Sequence, residues 1–181
     1  MKMVFCDIDG TLYRENEQIS PLNKEALTRF RDAGGQVVYC TGRHILEMNK
    51  ILEQDGYPFD YLVLNNGGAI LDSNKETLYE KHIEQSIGLD ILQWGVEANM
   101  FVHMCDGKNS YGCFNHQSFA HSDMGNIPIP DDYMTLMKES PSFQIISLNQ
   151  EDNQIDRINI IKKRIEDKYG DDVECHPNLH F

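Results

Sequence analysis

Three short, mainly apolar runs, at residues 3–6, 36–40 and 61–64, open the chain, with stretches of helical periodicity between them. The first, Met3-Val4-Phe5-Cys6, is apolar at every position, the pattern of a parallel strand covered on both faces. Ser20-Pro21 then reads as a helix N-cap followed by proline in the first helical position. Ala26, Leu27, Phe30 and Ala33 recur at helical spacing, and Gly34-Gly35 stops the helix. A second helix, with Ile45, Met48, Ile51 and Leu52 on one face, follows the second run and ends at Gly56. Strand, helix, strand, helix, strand predicts a parallel sheet of the α/β class.

Beyond Ile70 the pattern changes. Residues 78–83 read as a strand, and 84–98 as a helix carrying Ile87, Ile91, Leu92 and Trp94. Residues 101–105 and 110–114 flank Asp106-Gly107, a hairpin signal. Residues 117–132, rich in Ser, His, Gly, Asn and Pro, read as a loop, 133–139 as a short helix and 143–148 as a strand. A helix opening at Asp152 or Asn153 places Ile155, Ile158, Ile161 and Ile165 on one face; Gly170 stops it, and a last strand starts over 173–175. Strands joined by a hairpin and backed by two helices form an α+β layer distinct from the parallel half. The expected organisation is therefore two domains, residues 1–78 and 79–181.

Composition narrows the function classes. The chain has 181 residues, 40% hydrophobic and 25% charged, and no apolar run approaches the ~20 residues that span a bilayer. Met1 is followed almost at once by the first strand, which leaves no room for a signal peptide, so a cytoplasmic location with no membrane partner is expected. A net charge of −13 argues against nucleic acid as a partner and repels anionic substrates unless local groups overcome it. The five cysteines, Cys6, Cys40, Cys105, Cys113 and Cys175, contain no C-x-x-C pair and read as free thiols. His103, Cys105, Cys113 and His116 lack zinc-ligand spacing, and strand alternation explains His103 and Cys105 as same-face neighbours. Lys162-Lys163-Arg164 reads as a solvated helix face.

The chemistry lies at the carboxyl ends of the three leading strands, where open α/β sheets bind ligands. The first strand runs into Asp7 and, two residues on, Asp9, with Gly10 allowing the turn. Two carboxylates so close repel unless a cation joins them or one carries a proton, and oxygen ligands in small number suit Mg²⁺. The second strand ends in Thr41-Gly42-Arg43 and the third in Asn65-Asn66-Gly67-Gly68-Ala69. Singly, these are also ordinary turns and caps. Their convergence on one sheet edge favours a site.

The stretch Asp7-Ile8-Asp9-Gly10-Thr11-Leu12 resembles the first motif of the haloacid dehalogenase (HAD) superfamily of phosphohydrolases. The resemblance implies that Asp7 is the nucleophile and Asp9 the general acid/base, with Mg²⁺ as cofactor on Asp7 and Asp9. A carboxylate takes the phosphoryl group as an aspartyl phosphate, and the second carboxyl protonates the leaving oxygen and later deprotonates water. Thr41-Gly42-Arg43 resembles the second motif, which implies phosphate binding by the Thr41 hydroxyl and the amide after it, with Arg43 and Asn66 as further phosphate-binding candidates. Asn66-Gly67-Gly68-Ala69 is similar to a turn of the Cof-like branch, sugar-phosphate phosphatases with an α/β cap inserted after the third strand. The implied fold is a partial three-layer HAD-like core, residues 1–78, with an α+β cap, residues 79–181. The implied activity is Mg²⁺-dependent hydrolysis of a small phosphorylated metabolite.

Two family features are not found: a lysine after the cap and a Gly-Asp-x-x-Asn-Asp type motif. Gly170-Asp171-Asp172 lies at the end of a helix without a strand before it. The resemblance thus covers almost the whole chain but only the leading part of a complete member. It leaves open a catalytically silent binding or regulatory domain, and a phosphotransferase. If nothing follows Phe181, the first strand is expected to form a sheet edge and to drive self-association.

Overall fold

The computed structural model describes residues 2–13, 18–55, 58–113, 139–149 and 155–176. The chain divides into two compact units, Met1–Lys81 and His82–Phe181.

The first unit contains β1 (Lys2–Asp7), α1 (Pro21–Asp32), β2 (Gly35–Cys40), α2 (Ile45–Asp55), β3 (Tyr61–Leu64), β4 (Ala69–Asp72) and β5 (Thr77–Glu80). They build one five-stranded sheet in the order β1-β2-β3-β4-β5. Strands β1, β2 and β3 are parallel, with Asp7 opposite Cys40 and Cys40 opposite Val63, so their carboxyl ends lie level. The Ser20 hydroxyl caps α1 by accepting the Asn23 amide at 3.2 Å, and Gly34 leaves the helix at φ +82. Asp60 accepts the Arg31 guanidinium at 2.9 Å and the Val37 amide at 2.7 Å, tying α1 to β2 just before β3 begins. Ile8, Val37, Tyr39, Met48, Leu62 and Leu64 are buried together as the core, with Phe30 and Phe59 packed against them.

The antiparallel pair β4–β5 makes the sheet mixed, where the sequence pattern predicts only parallel pairing. The turn between them is built from polar side chains and not from a glycine pair. Asp72 Oδ1 accepts the amides of Asn74 and Glu76, at 2.8 and 2.9 Å, and Lys75 takes φ +65. The expected division after Leu78 cuts through β5, whose Tyr79 stands opposite Ile70, so the compact unit continues to Lys81.

The second unit contains β6 (Ile83–Glu84), α3 (Gln85–Glu97), β7 (Phe101–Cys105), β8 (Ser110–Cys113), β9 (Ser142–Phe143), β10 (Ile145–Asn149) and α4 (Ile155–Tyr169). Its strands form an antiparallel sheet, β10-β7-β8, and a β6–β9 ribbon. Asp106 holds the β7–β8 turn by accepting the amides of Lys108 and Asn109, at 2.8 and 2.6 Å. Leu92, Val102, Met104 and Phe143 are buried in one cluster; Ile87, Ile91 and Trp94 meet Ile161 and Ile165 in another. Asp90 accepts from both Lys168 and Tyr169, and Arg164 lies over the Trp94 ring at 4.3 Å, which pins α4 to α3.

Three expectations change here, the first being the strand over 78–83, which is two: Thr77–Glu80 in the first unit's sheet and Ile83–Glu84 in the β6–β9 ribbon. The strand expected over 143–148 is split, because Phe143 pairs with Ile83 whereas Ile145 pairs with Cys105, and the chain changes sheets at Gln144. The strand expected at 173–175 forms no ladder among the described residues. After the 3₁₀ turn Gly170–Asp172, Val173 and Cys175 instead pack against the α3–α4 cluster. The loop expected over 117–132, residues 133–138 of the helix expected over 133–139, and the helix start at Asp152 or Asn153 lie outside the described residues.

Candidate active site

At the end of β1 the chain turns back on itself around buried Ile8. The Leu12 amide donates to the Asp7 carbonyl at 3.2 Å, and the Tyr13 amide to the Ile8 carbonyl at 2.8 Å. Gly10 sits at φ +74, which a glycine adopts without penalty. Leu12 and Tyr13 are buried, so the turn is anchored from below while Asp7 and Asp9 on either side of Ile8 stay exposed. Thr11 Oγ1 donates to Asp7 Oδ2 at 2.8 Å.

The second strand continues past Cys40 through the Thr41 amide, which donates to the Val63 carbonyl at 2.9 Å. Thr41 is buried; its hydroxyl accepts the Arg43 amide at 3.1 Å and donates to Asp9 Oδ2 at 3.3 Å. The Arg43 guanidinium engages both oxygens of the same carboxylate, Nη2 to Oδ1 at 2.6 Å and Nε to Oδ2 at 3.0 Å. From the third strand, the Asn65 amide donates to the Arg43 carbonyl at 3.1 Å and the Asn66 amide to the Thr41 carbonyl at 3.3 Å. Asn65 and Asn66 both hold φ +53, left-handed backbone that asparagine tolerates better than most side chains.

These three strand ends line an open cavity of about 260 Å³, with Asp7, Cys40, Thr41, Gly42, Val63, Asn66 and Gly67 around it. Of the residues singled out in the sequence, Asp7, Thr41, Gly42 and Asn66 meet in this cavity. Asp9 and Arg43 do not line it; they pair with each other and join it through Thr41.

Cys40, one of the cysteines read as free thiols, forms part of the cavity wall. Burial, and then the Asp7 charge, push its thiol pKa up, so it remains protonated at neutral pH and is a poor nucleophile. His44 follows Arg43 but does not line the cavity. It is buried just before α2, and burial holds its pKa below the ordinary value, with Lys50 and Arg43 adding and Glu47 opposing. No spacing in the sequence marks it, because it belongs to no motif.

The donors near the cavity are hard oxygens, which suit Mg²⁺. Arg43 spans both Asp9 oxygens, so the side-chain donor best placed for a cation is Asp7. Among the described residues no three His, Cys, Asp or Glu side chains gather into a larger ligand set.

The profile of the haloacid dehalogenase-like hydrolases matches residues 4–180. The chain belongs to this family. Among curated relatives of this HAD-like hydrolase, the Bacillus subtilis 5-amino-6-(5-phospho-D-ribitylamino)uracil phosphatase YwtE is 27% identical over 124 residues, 68% of this chain and 42% of that one. The HMP-PP phosphatase of Yersinia pestis is 31% identical over 103 residues, 57% of this chain and 37% of that one. The chain thus spans about two fifths of the length of these relatives. A haloacid dehalogenase-like hydrolase from B. subtilis shares the fold with a TM-score of 0.77 at 22% identity, covering 93% of this chain and 67% of that one. BT4131, described as a HAD subclass IIB sugar phosphatase, aligns with a TM-score of 0.60 at 18% identity over 90% of this chain and 76% of that one. No helix among the described residues is long and apolar enough to cross a membrane.

Proposed function

We propose that this HAD-like hydrolase is a phosphatase for a small phosphorylated metabolite, acting through an aspartyl phosphate on Asp7. The observation that carries the reading is the meeting of Asp7, Thr41, Gly42 and Asn66 around one cavity at the level ends of three parallel strands. An Asp7 carboxylate oxygen attacks phosphorus and the ester P–O bond breaks, while Asp9 gives a proton to the leaving oxygen. Water then attacks phosphorus, Asp9 takes its proton, and inorganic phosphate leaves with Asp7 restored. The Gly42 amide and the Asn66 side chain hold the phosphoryl oxygens through both steps, joined by the Thr41 hydroxyl, which turns from Asp9 to the bound phosphoryl group. Mg²⁺, held by Asp7 with Asp9 nearby, would supply positive charge against the phosphoryl oxygens.

The first unit is the catalytic segment in this reading, and the second is the cap that selects the substrate. The named activities of YwtE, HMP-PP phosphatase and BT4131 all concern small phosphorylated molecules, which supports that substrate class. A cytoplasmic location, where such metabolites are made and used, belongs to the same proposal.

The test is phosphate release from glycerol 2-phosphate by the full chain, in Mg²⁺ and in a chelator, for the parent and Asp7→Asn. Mg²⁺-dependent release lost in Asp7→Asn is the expected result. Equal release by both proteins would overturn the reading, and phosphate binding without any turnover would make the chain a binding domain.

A further inference from the structure

We propose that Arg43 acts on Asp9 and not on the substrate: it is the positioning residue that aims the acid/base carboxylate. The inference rests on the reading above, in which Asp9 moves the proton. Arg43 is held at both ends of its own peptide, its amide on the Thr41 hydroxyl at 3.1 Å and its carbonyl on the Asn65 amide at 3.1 Å. From that fixed base its guanidinium reaches Asp9 with Nη2 at 2.6 Å on Oδ1 and Nε at 3.0 Å on Oδ2. Thr41 Oγ1 completes the arrangement at 3.3 Å from Oδ2, so Asp9, Thr41 and Arg43 close a ring of hydrogen bonds.

Arg43 and Asp9 both lie beside the cavity lining and not in it, and the guanidinium spends its Nε and Nη2 donors on the carboxylate. Its fork is directed at a carboxylate whose two oxygens match it, the geometry in which a planar guanidinium restricts rotation as well as attracting. The side chains are 38% and 52% exposed, so the pair is screened by water and adds little to folding. Its consequence is orientation. It also settles the repulsion between two carboxylates that flank a single residue, since one of them is matched by a cation belonging to the chain itself.

The experiment measures kcat and KM for glycerol 2-phosphate, whose alkoxide leaving group needs a proton, on the full chain and its variants. Arg43→Ala is expected to lower kcat by ~10²-fold, the scale of a misplaced catalytic group, with KM within about twofold of the parent. Arg43→Lys should recover little, because an ammonium lacks the fork. In an Asp9→Asn background Arg43→Ala should cost nothing further, since the residue it serves is already disabled. A raised KM with kcat unchanged, or losses from Arg43→Ala and Asp9→Asn that multiply, would overturn the inference and make Arg43 a substrate anchor. Asp7→Asn, run alongside, separates the two failures. If it turns over like the parent, the phosphatase reading falls and this inference with it; if it is silent while the other losses multiply, this inference alone falls.

Discussion

Asn66 Oδ1 stands 2.8 Å from the point that a Cβ on Gly42 would occupy, so the two residues divide one space between them. A methyl at position 42 would have to push aside the end of the Asn66 side chain, which moves easily but leaves the cavity wall when it does. Gly42→Ala is therefore expected to fold, with a loss of under ~1.5 kcal/mol, and to bind inorganic phosphate roughly tenfold more weakly. Asn66→Gly suits the φ of +53 and should keep the turn while losing the amide. The double variant should bind no worse than Asn66→Gly alone. Titration calorimetry with phosphate checks this, and parent-like affinity in Gly42→Ala would detach Asn66 from the site.

Asp7 and Asp9 lie in the same turn but in different company, Thr11 on one and Arg43 on the other. Asp7→Asn should abolish turnover without unfolding, because an amide cannot accept the phosphoryl group. Asp9→Asn should lose ~10²–10⁴-fold, the usual worth of general acid/base help. Acid quenching during turnover should trap a phosphoprotein in the parent and none in Asp7→Asn. Phosphoprotein formed by Asp7→Asn would place the nucleophile elsewhere.

His44 makes stability depend on pH. Its folded pKa is held below the ordinary 6.5, chiefly by burial, with Glu47, Lys50 and Arg43 as the charges around it. Below about pH 6.5 the unfolded chain binds a proton there that the folded chain refuses, so unfolding free energy falls as pH is lowered through that value. Asp90 and Asp106, whose pKa values are lowered from 3.8, act only at more acid pH and leave this window clear. Thermal unfolding at pH 7.5, 6.5 and 5.5 should show the loss in the parent and a flatter profile in His44→Gln. Identical slopes in both would assign the dependence to other groups.

The parallel strands and their polar ends were legible because each apolar run is bounded by glycine, proline or a capping residue, as Ser20-Pro21 and Gly34-Gly35 show for α1. The candidate site was legible for the same reason, since residues at strand ends converge once the strands are known to be parallel. What escaped is what tertiary contacts decide. Strand β5 is exposed along its length and carries no period, and its turn depends on the Asp72 side chain. Residues 143–148 read as one strand because nothing local marks Gln144, whose amide donates to the Cys105 carbonyl at 2.8 Å as the chain changes sheets. The pairing of Arg43 with Asp9 spans 34 positions, and no spacing rule reaches that far.

Strand β1 ends the sheet order, with β2 on one side and, among the described residues, no strand on the other. Phe5 is 63% exposed and Met3 37%, on the same face of the strand by its two-residue period. An apolar edge without proline or an inward charge recruits another chain, and only Lys2 and Asp7 flank this one. Self-association of the 181-residue chain is therefore expected, growing with concentration in light scattering. Phe5→Lys should shift the chain toward monomer with little change in melting temperature, because the ring it removes is mostly in water already. Asp7 lies on the same strand face two residues beyond Phe5, so burying this face would also crowd the cavity, and turnover per chain should rise on dilution. A monomer at every concentration, with constant specific turnover, would show that the exposed ring and open edge are insufficient to bring two chains together.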